Sequence, residues 1–254
     1  MPFLTLASQR LEYRRIGIAR AGRPTLVFLH EGLGSISMWR GFPGRVAVAT
    51  GCSAIVFSRR GYGRSEPLTE PRTVRYMHDE AERVLPEFME RLAVDRPILV
   101  GHSDGGSIAL IYAATARKPP LGVVTLAAHV LVEDISVASI AEAKEKYLAT
   151  DLPKKLARHH ADADSAFWGW NDIWLAPDFR SWNIEEYLPR IACPVLAIQG
   201  EQDEYGTIEQ MRRIGAQVPN AELVMLRDCG HSAHRDQPGA VIAAIARFVE
   251  RVNE

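Results

Sequence analysis

The stretch from Pro97 to Ala114 limits what this chain can fold into more than any other. Pro97-Ile98-Leu99-Val100 is a short apolar run rich in strand formers, and Gly106-Ser107-Ile108-Ala109-Leu110-Ile111-Tyr112-Ala113-Ala114 reads as a buried helix. Between them lies Gly101-His102-Ser103-Asp104-Gly105. A strand therefore hands over to a helix within about two residues. Such a corner needs a strained backbone at Ser103 and no bulk beside it, which glycines two positions before and after provide. The serine hydroxyl then stands above the sheet at the positive end of a helix, where developing negative charge is stabilised.

The rest of the chain supplies the sheet this corner needs. Leu4 to Ile18 alternates in polarity, with a turn near Ala7-Ser8, and predicts a leading hairpin. Thr25-Leu26-Val27-Phe28-Leu29 is a continuous apolar run that reads as a strand covered on both faces, and Ala54-Ile55-Val56-Phe57, Leu121 to Ala127, Pro194 to Ile198 and Glu222 to Leu226 read as further strands. Helical segments alternate with them: Met38 to Ala49, Ile208 to Ala216 and Pro238 to Val252. A further amphipathic helix carries Val74, Met77, Ala81, Val84, Leu85, Phe88 and Leu92, with a kink or break expected at Pro86. This alternation predicts an α/β fold with a mostly parallel central sheet of about eight strands, flanked by helices. Ligands of such sheets bind outside the carboxyl ends of the strands. The pattern is interrupted from 132 to 189. There, two Lys-rich helical pieces, around Ala141-Tyr147 and Leu152-Arg158, precede Phe167, Trp168, Trp170, Trp174, Phe179 and Trp182. The expected organisation is a core at 1–131, a helical cap insertion at 132–189, and the core resumed at 190–254.

Composition narrows the class of function. The 254 residues are 47% hydrophobic and 24% charged with a net charge of −1 and no long run of one sign, so neither nucleic acid nor an anionic membrane surface is an expected partner. Met1 to Ser8 lacks a basic head followed by a long apolar core, no stretch reaches transmembrane length, and Cys52, Cys193 and Cys229 are odd in number and widely spaced. These features predict a cytoplasmic protein without disulfides or a zinc site. Monomer and homodimer remain equally open.

A serine hydroxyl needs a base, and the base needs an acid to hold it. His231, in Asp228-Cys229-Gly230-His231-Ser232 just past the last strand, is the first choice for the base, with His234 as the alternative. Asp203, in Gly200-Glu201-Gln202-Asp203-Glu204, is preferred as the acid over Glu201 and Glu204. Backbone N–H groups aimed at the tetrahedral oxyanion contribute about 3 kcal/mol each. The expected donors are the amide of Asp104, next after the nucleophile, and that of Gly32, in the loop His30-Glu31-Gly32-Leu33-Gly34-Ser35.

These motifs together resemble the α/β-hydrolase-fold serine hydrolases over essentially the whole length. The likeness rests on His30 to Ser35, Arg60-Gly61-Tyr62-Gly63-Arg64-Ser65, Gly101 to Gly105, Gly200-Glu201-Gln202-Asp203 and Gly230-His231 in the order Ser, Asp, His. The Ser-Asp-Gly-Gly turn, the small insert and Leu188-Pro189-Arg190-Ile191-Ala192-Cys193-Pro194 are similar to the valacyclovir hydrolase branch of small esterases. The resemblance implies hydrolysis of a carboxylic ester, or a related lactone or thioester, of a small molecule, through an acyl-enzyme and with no metal or organic cofactor. A serine nucleophile disfavours dehalogenases and epoxide hydrolases of this fold. C–C bond hydrolysis, perhydrolysis and a slow-turnover ligand receptor remain alternatives.

Other residues carry weaker expectations. Glu31 stands where the family more often has glycine, and a carboxylate turned inward there would repel an oxyanion, so it is expected to point away. Glu31, Leu33, Trp168, Trp170 and Trp174 are candidate substrate contacts, the tryptophans being equally suited to a small core of the insert. Asp104 either caps its helix or faces the cleft and selects amino-bearing substrates. His159-His160-Ala161-Asp162-Ala163-Asp164 has the composition of a metal cluster, but consecutive helical residues diverge, so a solvated surface is expected. Cys229 reads as a small buried residue. A histidine base near its ordinary value of about 6.5 predicts activity rising between roughly pH 6 and 8.

Overall fold

The structure, a computed structural model, describes residues 1–7 and 9–253. Eight strands form one sheet in the order β1-β2-β4-β3-β5-β6-β7-β8. The hairpin β1 (Phe3–Thr5) and β2 (Arg10–Ile16) is antiparallel, and β2 lies antiparallel on β4 (Ser53–Phe57). Ser8, where the turn was placed, lies outside the described residues. The remaining strands β3 (Thr25–Leu29), β5 (Pro97–His102), β6 (Gly122–Leu126), β7 (Val195–Gly200) and β8 (Ala221–Leu226) run parallel.

The central apolar runs are strands because both faces of the sheet are covered there, while β8 at the edge is only part-buried and exposes Leu223. Leu26, Phe28, Ile98, Val100, Val124 and Leu126 pack on one side against α1 (Phe42–Thr50) and α10 (Pro238–Asn253). Val27, Leu29, Leu99 and Val123 pack on the other, with α4 (Asp104–Thr115) in the same core. In register, Leu29 pairs with Gly101, His102 with Leu126 and Gly200 with Leu226, so the carboxyl ends of the parallel strands finish in one layer. Every loop that carries candidate chemistry leaves from that layer.

Three helical boundaries differ from expectation, each for a local reason. Where a helix from Met38 was expected, a 3-10 turn spans Ile36–Trp39, Arg40 takes φ 53°, and α1 begins only at Phe42. Pro43 lacks an N–H and fits only a first helical turn. The amphipathic segment is α2 (Tyr76–Asp79), a π turn (Glu80–Val84) and α3 (Leu85–Arg91), with Pro86 in the first turn of α3. The wide turn accommodates a residue that an unbroken α-helix would exclude. Val74, expected on the buried face, precedes α2 and is exposed.

Between β6 and β7 the chain forms α5 (Asp134–Ala149), α6 (Leu152–Leu156) and α7 (Ala163–Leu175). The aromatic run is thus partly a helix: Asp162 caps it by accepting from the Ser165 N–H at 2.8 Å, and Phe167, Trp170 and Trp174 bury one face. The chain closes through α8 (Ile208–Gln217), α9 (Ala233–Asp236) and α10, whose Val241, Ile245 and Phe248 are buried as their spacing requires. No helix among the described residues is long and apolar enough to cross a membrane.

Candidate active site

Ser103 links β5 to α4 at φ 52°, ψ −121°, a conformation that costs a non-glycine residue about 1–3 kcal/mol. Its surroundings hold it there. The Ser103 N–H donates to the Leu126 carbonyl at 2.9 Å, and its own carbonyl accepts from the amides of Gly106 and Ser107 at 2.8 and 3.1 Å. The flanking glycines are close-approach positions. A Cβ at Gly101 would lie 2.2 Å from the Gly105 carbonyl oxygen, and one at Gly105 would lie 2.1 Å from that of Leu29. Strand, corner and helix therefore lock together only without side chains at 101 and 105.

His231 and Asp203 leave the adjacent strands β8 and β7, and they meet: His231 Nδ1 lies 2.8 Å from Asp203 Oδ1. Asp203 also accepts from the amides of Tyr205 and Gly206 at 2.9 and 3.2 Å and from Gln199 Nε2 at 3.1 Å. Burial opposes its ionisation, but the His231 charge and hydrogen bond outweigh that, so its carboxyl sits below the usual range. Burial likewise opposes protonation of His231, yet the Asp203 carboxylate raises the imidazole above its ordinary value. The main chain of His231 is held as well, its N–H donating to Glu204 Oε2 and its carbonyl accepting from His102 Nε2, both at 3.0 Å. The His102 and His231 rings lie 5.0 Å apart, which brings His231 beside the nucleophile corner. The Ser103 hydroxyl and His231 Nε2 are not themselves hydrogen-bonded here, and such contacts commonly tighten only in the substrate complex.

The alternatives considered for base and acid sit elsewhere. His234 is packed among Trp39, Phe42 and His102, and burial lowers it to about 2, so it is a neutral core residue. Glu204 serves the His231 backbone, and Glu201 is exposed.

The loop after β3 is shaped by Arg59, a fully buried arginine just past β4. Its Nη2 donates to the carbonyls of His30 and Glu31 at 3.3 and 3.0 Å, while the Arg59 amide donates to His30 Nε2 at 2.9 Å. His30 Nδ1–H donates to the Glu31 carbonyl at 2.7 Å. In a trans peptide the N–H points opposite to the carbonyl. With the Glu31 carbonyl drawn toward Arg59, the Gly32 N–H faces the other way. The amides of Gly32 and Asp104 have no acceptor among the described residues. The Glu31 side chain turns away from them, toward His102 Nδ1 at 3.4 Å and Arg235 Nη2 at 3.5 Å.

The insert lies over this loop. A Cβ at Gly32 would meet Trp170 Nε1 at 2.2 Å, so the indole edge rests directly on the glycine. Trp174 Nε1 donates to the Tyr76 hydroxyl at 3.1 Å, which donates to Asp104 Oδ2 at 2.7 Å, with Arg59 Nη2 at 3.6 Å. Asp104 is thus neither a helix cap nor an open anion; its charge is matched by a buried arginine. Trp168, expected as a substrate contact, instead packs on Tyr147, Phe167 and Lys144 within the insert. The Leu33 carbonyl accepts from His160 Nε2 at 3.1 Å, and His160 Nδ1 accepts from the Gly63 amide at 3.0 Å. His159 reaches Ser37 at 2.8 Å. The His159-His160 pair therefore fastens the insert to core loops and is not a solvated surface. Cys229 is buried, as expected, and burial raises its thiol to about 11.

Sequence reasoning passed over Arg59, Tyr76, His102 and His129. Arg59 follows β4 by two residues, and the partly exposed Arg60 beside it has the same local sequence context, so only the fold tells them apart. His129, with Nε2–H on the Tyr205 carbonyl at 3.1 Å and its ring 5.8 Å from that of His231, carried no signal in the sequence either.

Comparison with known proteins places the chain by family and fold. The family profile described as the alpha/beta hydrolase family matches residues 26–245. A protein of Caulobacter sp. (strain K31) named "Putative carbamate hydrolase RutD" is 28% identical over 88% of this chain and 90% of its own length. A proline iminopeptidase of Levilactobacillus brevis is 25% identical, the match covering 100% of this chain and 96% of that protein. In overall fold, the crystal structure of an enol-lactonase from Burkholderia xenovorans LB400 superposes with a TM-score of 0.77 at 21% identity, covering 98% of this chain and 100% of that one.

Proposed function

Since the chain belongs to the alpha/beta hydrolase family, we propose that it is a serine hydrolase acting on the carboxylic ester, lactone or thioester of a small molecule. The observation that carries this reading is the 2.8 Å contact of His231 Nδ1 with Asp203 Oδ1, on a histidine tied to the residue preceding a strained Ser103. His231, raised by Asp203, takes the Ser103 proton as the hydroxyl attacks the carbonyl carbon. Asp203 stays ionised, fixes the tautomer with the proton on Nδ1 and stabilises the cation that forms. The amides of Gly32 and Asp104 receive the oxyanion. His231 then protonates the leaving group, and water repeats the sequence on the acyl-enzyme.

The segment 132–189 acts as a cap in this reading. Ser103 and His231 are only 7% and 9% exposed, and Trp170 packs against Gly32, so the reaction is shielded from bulk water. Support for an uncharged substrate head comes from Asp104, whose partner Arg59 leaves it no spare charge for an ammonium group. Relatives named for carbamate and peptide substrates make the bond type the first thing to measure.

The test is a panel of p-nitrophenyl esters, lactones, carbamates and aminoacyl amides on the wild type, Ser103→Ala and His231→Ala. Ester or lactone turnover that falls by about 10³-fold or more in both variants is expected. Turnover surviving in Ser103→Ala would refute the assignment. Ser103-dependent turnover confined to carbamates or amides would refute the ester class while keeping the nucleophile.

A further inference from the structure

Beside the candidate triad lies a second acid–histidine pair that the reaction above does not use. His102, 1% exposed, is the last residue of β5 and precedes Ser103. Its Nε2 lies 3.0 Å from the carbonyl oxygen of His231, so that nitrogen carries a proton and donates it. Its Nδ1 lies 3.4 Å from Glu31 Oε2. Burial opposes ionisation of Glu31, but its contacts with His102 outweigh that and hold it well below the usual carboxylate range, so Glu31 is the anion. The ring of His102 thus stands between two fixed groups, the His231 carbonyl at Nε2 and the Glu31 carboxylate facing Nδ1.

We propose that Glu31 and His102 are positioning residues for His231: the Glu31–His102 pair clamps the His231 carbonyl and so sets the orientation of the imidazole toward Ser103. This rests on the serine hydrolase reading above. The pair ties together the loop after β3, the nucleophile corner and the loop after β8. With Glu204 on the His231 N–H and Asp203 on Nδ1, the clamp on the carbonyl is the third fixed contact of that residue. Both contacts are needed: the Nε2–H holds the His231 carbonyl, and the Glu31 carboxylate beside Nδ1 holds the ring in the orientation that lets it do so.

The neighbours fix where the two side chains can point. His102 is faced by Glu31, His231 and by His234, whose ring lies 4.8 Å away and which burial keeps neutral. Glu31 is faced by His30, His102, His234 and Arg235. A Cβ at Gly34 would lie 2.4 Å from Glu31 Oε2, so Gly34 makes the space that lets the carboxylate turn toward His102. This explains why a glutamate is harmless in a loop that must receive an oxyanion. Its carboxylate is turned to the far side, toward His102 and Arg235.

The test compares Glu31→Gln, His102→Leu, His102→Gln and the doubles Glu31→Gln/His102→Leu and Glu31→Gln/His102→Gln, with Ser103→Ala as reference and thermal unfolding of each. Glu31→Gln removes the carboxylate that faces Nδ1 and fixes the ring, and kcat should fall by about tenfold or more with KM within about twofold, since a misplacement near 1 Å costs up to about 10²-fold in rate. His102→Leu should fall at least as far, and Glu31→Gln should add nothing in that background. His102→Gln places an amide N–H near the former Nε2, should recover most of kcat, and should make Glu31→Gln silent. The His231 Nδ1 proton resonance should shift or broaden in Glu31→Gln and return in His102→Gln. Wild-type kcat in a folded Glu31→Gln, or additive losses in Glu31→Gln/His102→Leu, would overturn the positioning role. If Ser103→Ala remained active, the serine hydrolase reading would fail instead.

Discussion

Replacing Gly105 by alanine tests whether the nucleophile helix really sits on the end of β3. The new Cβ would lie 2.1 Å from the Leu29 carbonyl oxygen and 2.8 Å from that of His30, where ordinary contact begins at 3.4 Å. Both obstacles are backbone, so neither can rotate aside. The shortfall is about 1.3 Å against Leu29, and relief requires α4 and the loop after β3 to part by roughly 1 Å in an interior packed at crystal-like density. Overpacking of this kind costs about 1–3 kcal/mol. The same displacement separates the Asp104 amide from the Gly32 amide, the two donors proposed for one oxyanion. A misplacement of about 1 Å reduces rate by about 10²-fold. The expected outcome is a folded, destabilised enzyme with kcat down by about two orders of magnitude, read from urea unfolding and initial rates on a p-nitrophenyl ester. Gly44→Ala is the matched control. It lies in α1 with nothing within 4 Å of its Cβ, so it should stabilise by about 0.5–1 kcal/mol through helix propensity and leave kcat alone. A Gly105→Ala protein with wild-type stability and kcat would refute the account of how the corner is held.

Three further outcomes follow from the geometry. The acid limb of the kcat/KM profile should lie above the ordinary histidine value because Asp203 raises His231; Asp203→Asn leaves burial unopposed, so the limb should move to lower pH while kcat falls by about 10⁴-fold, and an unmoved limb would remove His231 as the base. Asp104→Ala strands the fully buried Arg59 without its partner and should cost about 3–5 kcal/mol in chemical denaturation, while the ratio of rates on neutral and amino-bearing esters stays as in the wild type. His160 is held neutral with its value lowered to about 4, burial being the main cause, so its contribution to stability is full above the unfolded value of about 6.5 and is lost as pH falls toward 4. The protection factor of the Gly63 amide, whose N–H His160 accepts, should therefore fall as pH drops across that window in the wild type and lose the dependence in His160→Asn.

The sheet was legible in the chain because buried parallel strands must be continuously apolar, and Thr25–Leu29 and Val195–Gly200 have no other way to satisfy that composition. The helices were less so. Pro43 and Pro86 announce a disturbance, but whether it is a late start or a π turn depends on which neighbours the segment meets. The candidate Ser103, Asp203 and His231 were also legible, since each follows a recognisable strand and the topology sends such loops to one edge.

What surrounds those three was decided by the tertiary structure. Nothing local to Glu31 says that it will meet His102, nor that Arg59 will take the Glu31 carbonyl and the Asp104 charge together, because these contacts join residues from β3, β4 and β5 that are distant in the chain. Trp168 and Trp170 are two positions apart, yet one fills the insert and the other lies on Gly32, since on a helix such a step turns the side chain to another face. Periodicity and backbone sterics are properties of neighbours along the chain and can be read there; the pairing of buried charges exists only once separate strand ends share one layer.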